Sequence, residues 1–284
     1  MTADRHDLLG HSEDELARLD LQGRIYRGAT VRAFREGGLE PGMRVLDIGC
    51  GSGDVSLTAA EIVGRAGSVL GIDRGAGALE VARGKAARAG LGNVDFEQVE
   101  LDDFRRPDAF DALVGRFILM HQPDASEVLR SLSASVRPGG PVIVLESWME
   151  LLRTGGHSSP HSPLYDEIVA WKSAVVAGAG ADLHAGGRLR TTFVEAGLPD
   201  PETRLEALVA GGDESPYWEY VERSCRSMLP EARRLGLVGF DDASVTGLGG
   251  RLREEVVGRR GSVLAWPVVA AWSRRASTAP SRAP

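Results

Sequence analysis

The residues most able to do chemistry cluster between Arg44 and Asp54, in the run Arg-Val-Leu-Asp-Ile-Gly-Cys-Gly-Ser-Gly-Asp. Val45, Leu46 and Ile48 form the short apolar run of a buried parallel strand. Gly49, Gly51 and Gly53 then alternate, and a helical pattern follows through Val55, Leu57, Ala59, Ala60, Ile62 and Val63. Strand, glycine turn and helix together bring backbone N–H groups and a helix N-terminus close to a polar or anionic ligand. The spacing separates ligand types. A dinucleotide fingerprint, Gly-x-Gly-x-x-Gly, needs glycine at 54, where this chain has Asp54. Cys50, inside the turn, is read as a small residue filling it rather than a reactive thiol, since nothing nearby marks it as activated. A second acid ends the next apolar run, Ser68-Val-Leu-Gly-Ile-Asp73, 20 residues beyond Gly53. A carboxylate at the tip of a neighbouring strand is placed to accept hydrogen bonds from both hydroxyls of a ribose.

Three further strand-and-loop signals follow in order. Val94–Val99 leads into Glu100-Leu101-Asp102-Asp103, and Phe110–Val114 into Gly115-Arg116-Phe117-Ile-Leu-Met-His121-Gln-Pro-Asp124. Arg137-Pro-Gly-Gly140 then breaks the chain before the apolar strand Pro141–Glu146. Asp47 with Gly-x-Gly-x-Gly, the strand-end Asp73, the Phe-Asp-x-Leu strand with its histidine loop and the Arg-Pro-Gly-Gly break resemble, in this order, the motifs of class I S-adenosyl-L-methionine-dependent methyltransferases, specifically those with a ubiquinone/menaquinone-methyltransferase-like core. The likeness covers residues 40–147 and implies S-adenosyl-L-methionine as cofactor. It places the glycine loop (Gly49, Cys50, Gly51, Gly53) and Asp47 at the donor, and Asp73, with Arg74 beside it, at the ribose. Aligned by register from Phe96, Glu100 takes the place of the acid that accepts from the adenine amino group. Leu101 takes that of the backbone donor to a ring nitrogen. The chain departs from the family's Gly-Asp-Ala here, so Asp102 and Asp103 remain alternatives to Glu100. Gly115 and Arg116 are candidates for the methionyl ammonium, and Arg116 also for the methionyl carboxylate. Gln22 and Tyr26, at i and i+4 on one helix face, are candidates for a cover over the methionyl end.

These motifs imply an α/β fold: a Rossmann-like, seven-stranded, mostly parallel sheet flanked by helices, with an inserted helical lid. The organisation expected is an N-terminal helical cover over 1–39, a core over 40–147, and a lid insertion and helix over 148–200. C-terminal strands with inserted helices follow over 201–275, then a disordered tail over 276–284. Ser12 and Glu15 form a capping box for a helix over 12–36, which Gly37-Gly38 stops. Helices are expected over Gly77–Ala89, Leu164–Ala177 after a Ser162-Pro163 cap, Gly187–Ala196, Pro216–Arg234 and Asp242–Val257. Strands are expected over Thr203–Val209 and Ser262–Trp272.

The chain has 284 residues and a net charge of -7, which argues against an unspecific grip on nucleic acid. Nearly all its positive charge is Arg, with Lys only at 85 and 172. No apolar run is long enough to span a bilayer, and the N-terminus lacks a signal-peptide pattern. Cys50 and Cys225 make no disulfide framework, so a cytoplasmic setting is expected. The expected partner is a small-molecule acceptor, with no nucleic acid or membrane, in a monomer or homodimer. Trp148, Tyr165, Trp171 and Trp218, with Tyr217 and Tyr220, fall in the inserted segments. They read either as lid packing or as the wall of an apolar substrate pocket. Candidate bases are His121, Glu146, His157, His161 and His184, with His121 best placed as the catalytic residue. His157 and His161 flank Pro160, which denies them a regular helical pairing, and a mobile loop is expected there rather than a metal pair. Oxygen is the expected acceptor, with carbon and nitrogen open. Two rivals are a cofactor-binding protein without transfer activity and a nicotinamide-dependent oxidoreductase, the latter weakened by Asp54.

Overall fold

A computed structural model describes residues 13–276, and side chains from 17 onward. The Ser12–Glu15 capping box and, apart from its first residue, the tail over 276–284 lie outside the described residues. The elements run α1 (Glu13–Glu36), β1 (Arg44–Ile48), α2 (Asp54–Val63), β2 (Ser68–Asp73), α3 (Ala76–Arg88), β3 (Val94–Gln98), β4 (Ala112–Arg116), α4 (Ala125–Ser133) and β5 (Pro141–Ser147). They continue with α5 (Glu150–Arg153), β6 (Ser158–Ser159), α6 (Pro163–Gly178), α7 (Ala185–Glu195), β7 (Glu202–Glu206), β8 (Val209–Ala210), α8 (Tyr217–Arg234), α9 (Asp242–Val245), α10 (Leu248–Gly258), β9 (Ser262–Leu264) and β10 (Val268–Arg274).

Among the described residues seven strands form one sheet in the order β3-β2-β1-β4-β5-β10-β7. The pairings of β1 with β2 and β4, of β2 with β3, and of β4 with β5 are parallel. The order reverses beside β1, so the C-terminal ends of β1, β2 and β4 open a crevice where ligands of such sheets bind. The expected seven-stranded, mostly parallel fold is what the chain forms. A second sheet, β6-β9-β8, is antiparallel.

The chain groups into two compact units. Of the described residues, the sheet unit holds Arg27–Glu146, Ala185–Leu205 and 269–276; the helical unit holds 13–26, Ser147–His184 and Glu206–Val268. In the sheet unit β5 is buried along its whole length, which is why Pro141–Ser147 is almost uninterruptedly apolar. In the helical unit α8 packs on both α6 and α10. Tyr165 and Tyr217 are fully buried there; their hydroxyls lie 2.6 Å apart, and Tyr165 donates to the Leu264 carbonyl at 2.7 Å.

Three elements differ from the sequence expectation. The run Ser262–Trp272 is two strands in different sheets, because Pro267 lacks the N–H that a continuous ladder needs. The run Thr203–Val209 likewise divides between β7 and β8. The helix over Asp242–Val257 is interrupted at Gly247, whose φ of 72° breaks the helical backbone between α9 and α10. The segment around His157 and His161 is not a free loop. Ser158 and Ser159 pair with β9, and both imidazoles bond Asp166 in the first turn of α6.

Asp111 ties the lower edge of the sheet together. Its carboxylate accepts from the Arg44 N–H at 2.7 Å and pairs with the Arg137 guanidinium at 3.3 Å, so it joins the starts of β1 and β4 to the turn before β5. Asp111→Ala leaves the partly buried Arg44 N–H unpaired, and we expect a loss of about 2 kcal/mol, read from urea denaturation. A change within experimental error would show that water replaces the carboxylate there.

Candidate functional site

The glycine loop is strained into shape by its own backbone. Gly49, Gly51 and Gly53 have φ of 62°, 50° and 87°, values that side-chain-bearing residues rarely adopt. Gly49 also lies under Ile118, where an added Cβ would collide with Ile118 Cδ1 and Cγ1. At Gly51, by contrast, an added Cβ would meet nothing within 4 Å, so the middle of the loop faces open space. The Gly53 N–H returns to the Cys50 carbonyl at 2.9 Å, closing the turn that starts α2. Cys50 itself is buried, and burial with the charges of Asp47 and Asp73 pushes its thiol far above its ordinary range. A thiol held protonated is no nucleophile, which agrees with the turn-filling role.

Three acids end the strands around this loop, each in a different environment. Asp73, at the end of β2, accepts from the Gly51 N–H at 2.9 Å on one oxygen and from the Gly75 N–H at 2.8 Å on the other. Asp47, in β1, is 0% exposed. Ser56 donates to its Oδ2 at 2.5 Å, while Oδ1 is buried with no hydrogen-bond partner. Burial pushes its carboxyl up to about 7, opposed by the Ser56 hydroxyl and the Arg116 charge. Glu146, at the end of β5, is also fully buried, and its Oε1 accepts from the N–H groups of Ile118 and Leu119 at 2.9 and 2.6 Å. That carboxylate holds the loop after β4, a structural duty rather than that of a mobile base.

The loop after β4 carries its own constraint. Phe117 has φ 59°, a left-handed backbone that is unfavourable for a bulky side chain and is held by its neighbours. Its N–H bonds the Leu145 carbonyl at 2.9 Å, and the Arg116 guanidinium lies 5.6 Å from its ring centroid. Arg116 also donates to Thr30 at 2.9 Å, and Gly115 sits against Ile48, leaving no room for a side chain. His121 is exposed in the short 3-10 turn Leu119–His121. Beyond β3, Glu100 is exposed and precedes the 3-10 turn Leu101–Asp103. The Leu101 N–H opens that turn, so the turn itself does not use it. Arg74 is exposed beside Asp73.

Other sequence candidates belong to the helical unit. Tyr26 is buried and donates to the Trp266 carbonyl at 3.2 Å, and Gln22 accepts from Arg18. Tyr165, Trp171 and Trp218 are buried, while Trp148 is half-buried. Trp171 packs edge-on against Phe240, and Trp218 donates to the Gly212 carbonyl at 2.8 Å. His184 is exposed. Among the described residues no group of three or more His, Cys, Asp or Glu is placed to hold a metal.

Lys85 was not singled out from the sequence. Its Nζ bonds Ser52 at 3.0 Å and Asp54 at 3.3 Å, pinning the end of the glycine loop to α3. The signal was its rarity, one lysine of two in a chain that otherwise uses arginine. The bracing by Glu146 and the backbone of Phe117 leave no comparable trace, because each depends on where β4 and β5 end in space.

A methyltransferase-domain family model matches residues 39–197, more than half of the chain. The ubiquinone/menaquinone biosynthesis C-methyltransferase of Vibrio cholerae is 32% identical over 157 residues, covering 53% of this chain. This chain spans only 58% of that relative's length. The 2-phytyl-1,4-naphtoquinone methyltransferase of Synechococcus elongatus is 30% identical over 178 residues, 61% of this chain and 72% of the relative. Among solved structures, the YcgJ protein of Bacillus subtilis superposes with a TM-score of 0.56 over 88% of this chain and 98% of its own, at 17% identity. That last likeness speaks to the fold alone. Sheet order, glycine loop, strand-end acids and family match agree, and the chain belongs to the class I S-adenosylmethionine-dependent methyltransferases.

Proposed function

We infer that this chain transfers a methyl group from S-adenosylmethionine to a small organic acceptor. The observation that carries the reading is the carboxylate of Asp73. Each of its oxygens is oriented by one backbone N–H, from Gly51 and Gly75, and keeps lone pairs for a vicinal diol. Two further features suit the donor: the open space over Gly51 and the unpartnered, buried Oδ1 of Asp47. When bound, S-adenosylmethionine supplies an electrophilic methyl group on a sulfonium.

In this reading the chain's own residues bind and orient. Asp73, with Arg74 beside it, takes the ribose, while Glu100 and the Leu101 N–H take the adenine edge. Gly49, Cys50, Gly51 and Gly53 give the backbone approach, and Gly115 and Arg116 with Asp47 serve the methionyl end. Gln22 and Tyr26 are assigned to the cover. Trp148, which is half-buried, and the buried Tyr165, Trp171 and Trp218 are assigned to the acceptor's pocket. His121 is assigned the acceptor's proton. The relatives are named for quinone and naphthoquinone methylation, one of them at carbon, and this favours a ring carbon over the oxygen acceptor expected from the sequence.

Titration calorimetry with S-adenosylmethionine and its demethylated product tests the donor site. We expect micromolar binding, weakened in Asp73→Ala by roughly 30-fold or more, the loss of ~2 kcal/mol for hydrogen bonds to a charged group. Folded wild-type protein that binds neither compound would refute the reading. Turnover of methyl-labelled donor with a panel of hydroquinones and naphthols, followed by NMR of the product, reports whether carbon or oxygen is methylated. His121→Ala is expected to lower kcat by about 100-fold with donor affinity unchanged, the usual scale for a lost general base; an unchanged kcat assigns methyl transfer to alignment alone.

Asp47 gives a pH signature. Its folded carboxyl keeps its proton to about 7, whereas an aspartate in water loses it near 3.8, so the unfolded chain releases that proton first. The associated stability is therefore complete below pH 4 and declines as pH rises toward 7. Asp47→Asn, which cannot ionise, is expected to flatten this decline in thermal melts of donor-free protein between pH 4 and 7. Parallel profiles for the two proteins would mean that Asp47 ionises freely in the fold.

A further inference from the structure

Among the described residues the seven-stranded sheet ends on β3 at one side and on β7 at the other. An edge strand offers a row of backbone N–H and C=O groups without a neighbour, and a folded chain must either blunt that row or fill it. The β3 edge is blunted. Its charged residues, Asp95 and Glu97, are both acidic, so a second copy of this strand would meet like charges. The Arg83 guanidinium also donates to the Phe96 carbonyl at 2.9 Å, and Arg106 pairs with Glu97 at 2.6 Å. The β7 edge differs. Glu202, Thr203, Arg204 and Leu205 are all exposed, Leu205 with 49% of its surface. Of the five exposed large apolar side chains among the described residues, three (Leu205, Leu208 and Val209) fall on β7 or directly after it.

The order of residues on β7 decides what can lie beside it. Side chains alternate between faces, so Glu202, Arg204 and Glu206 share one face while Thr203 and Leu205 share the other. When a strand pairs antiparallel with its own copy, each residue faces one from the same face, and the residue on the two-fold axis sets the register. With Arg204 on the axis, Arg204 meets itself and Glu202 meets Glu206, like charges throughout. With Thr203 on the axis, Pro201 enters the ladder without an N–H to give, and Asp200 faces Glu206. With Leu205 on the axis, Leu205 packs on its own copy and Arg204 faces Glu206 on both sides of it. Of these three registers only the last joins apolar contact to opposite charges. Arg204 already pairs with Glu36 at 2.7 Å, and a guanidinium has N–H groups enough for two carboxylates.

We propose that two copies of this chain join antiparallel along β7, with Leu205 on the two-fold axis and Arg204 of each copy facing Glu206 of the other. The two sheets then become one continuous sheet, and the exposed Leu205 side chains are covered by each other. In the sheet order β10 and β5 stand between β7 and β4, so the paired edge lies away from the C-terminal ends of β1, β2 and β4. The interface is therefore independent of the methyl-transfer reading, which uses the crevice and not the edge.

Sedimentation velocity of the full-length protein over a concentration series reads the assembly. The wild type is expected to pass from monomer to dimer as concentration rises. Arg204→Glu and Glu206→Arg each put two like-charge pairs into the interface, and each is expected to weaken self-association by about tenfold or more. An equimolar mixture of the two variants restores both opposite pairs and is expected to dimerise as the wild type does. Leu205→Cys, on the axis, is expected to form a disulfide-linked dimer with diamide, whereas Thr203→Cys, two residues from it, stays unlinked; the native Cys50 and Cys225 are buried. Wild type that stays monomeric at every concentration overturns the proposal without requiring any variant to fold. A dimer indifferent to both charge reversals, a mixture no stronger than either variant alone, or linkage at 203 rather than 205 overturns it as well.

Discussion

The carboxylate of Asp73 is the constraint from which the donor site is built. A glycine loop with three residues in the left-handed region has few conformational restraints of its own, because glycine loses more freedom on ordering than any other residue. The bond from the Gly51 N–H to Asp73 supplies one restraint, and it runs from the loop after β1 to the end of the adjacent strand β2. The second Asp73 oxygen holds Gly75, where α3 begins. One side chain thus fixes the relative positions of two strand ends and one helix start. The parallel register of β1 on β2, from Arg44 opposite Ser68 to Ile48 opposite Ile72, places that acid where it can reach the loop. A one-residue slip would turn Asp73 to the opposite face of the sheet.

The other two strand-end acids divide the remaining work by their surroundings. Glu146 spends an oxygen on two N–H groups of the loop after β4, and that loop presses Ile118 over Gly49. The left-handed Phe117 backbone is held where β4 gives way to the same loop, between its N–H bond to Leu145 and the N–H groups that Glu146 receives. Asp47 lacks such partners on one oxygen and is kept neutral by burial over much of the acidic range. Three carboxyls of similar chemistry are thereby a loop brace, a backbone clamp and a protonated reserve of hydrogen-bonding capacity. Sequence assigns the same letters to all three. Only the N–H groups that each strand end presents separate them.

This explains how much could be read without coordinates. The glycine spacing, Asp73 and the Arg-Pro-Gly-Gly break are local patterns, and local patterns fixed β1 to β5 within a residue or two. Lys85 crosses from α3 to Ser52 and Asp54, and Glu146 crosses from β5 to Ile118, so neither has a neighbour in sequence that betrays it. The division between units is less legible still, because the helical unit is assembled from three separated segments. Pro267 was visible throughout as a residue without a donor, yet the apolar run on both sides of it masked the boundary between β9 and β10. The histidine pair was misjudged for a related reason. Pro160 correctly excluded a helical pairing, but Asp166 joins His157 and His161 from the next helix, and burial of that carboxylate is outweighed by the hydrogen bonds of the two imidazoles.

The aromatic residues of the helical unit show why composition cannot identify a pocket. Tyr165 and Tyr217 look like ligand-lining residues in a string of letters, yet both are buried and their hydroxyl protons are committed, that of Tyr165 to the Leu264 carbonyl and that of Tyr217 to Tyr165. Tyr220, which also packs against the Tyr217 ring, and Trp266 each carry the Lys172 ammonium over a ring face. A buried ring is satisfied by any close-packed apolar surface, whereas a buried ammonium is satisfied only by negative charge or acceptors. For Lys172 the partners among the described residues are the ring faces of Tyr220 and Trp266. The chain's reliance on arginine elsewhere sharpens the point. An arginine at 172 would carry a rigid fork of five donors to be met inside the core, while lysine carries three and needs fewer partners.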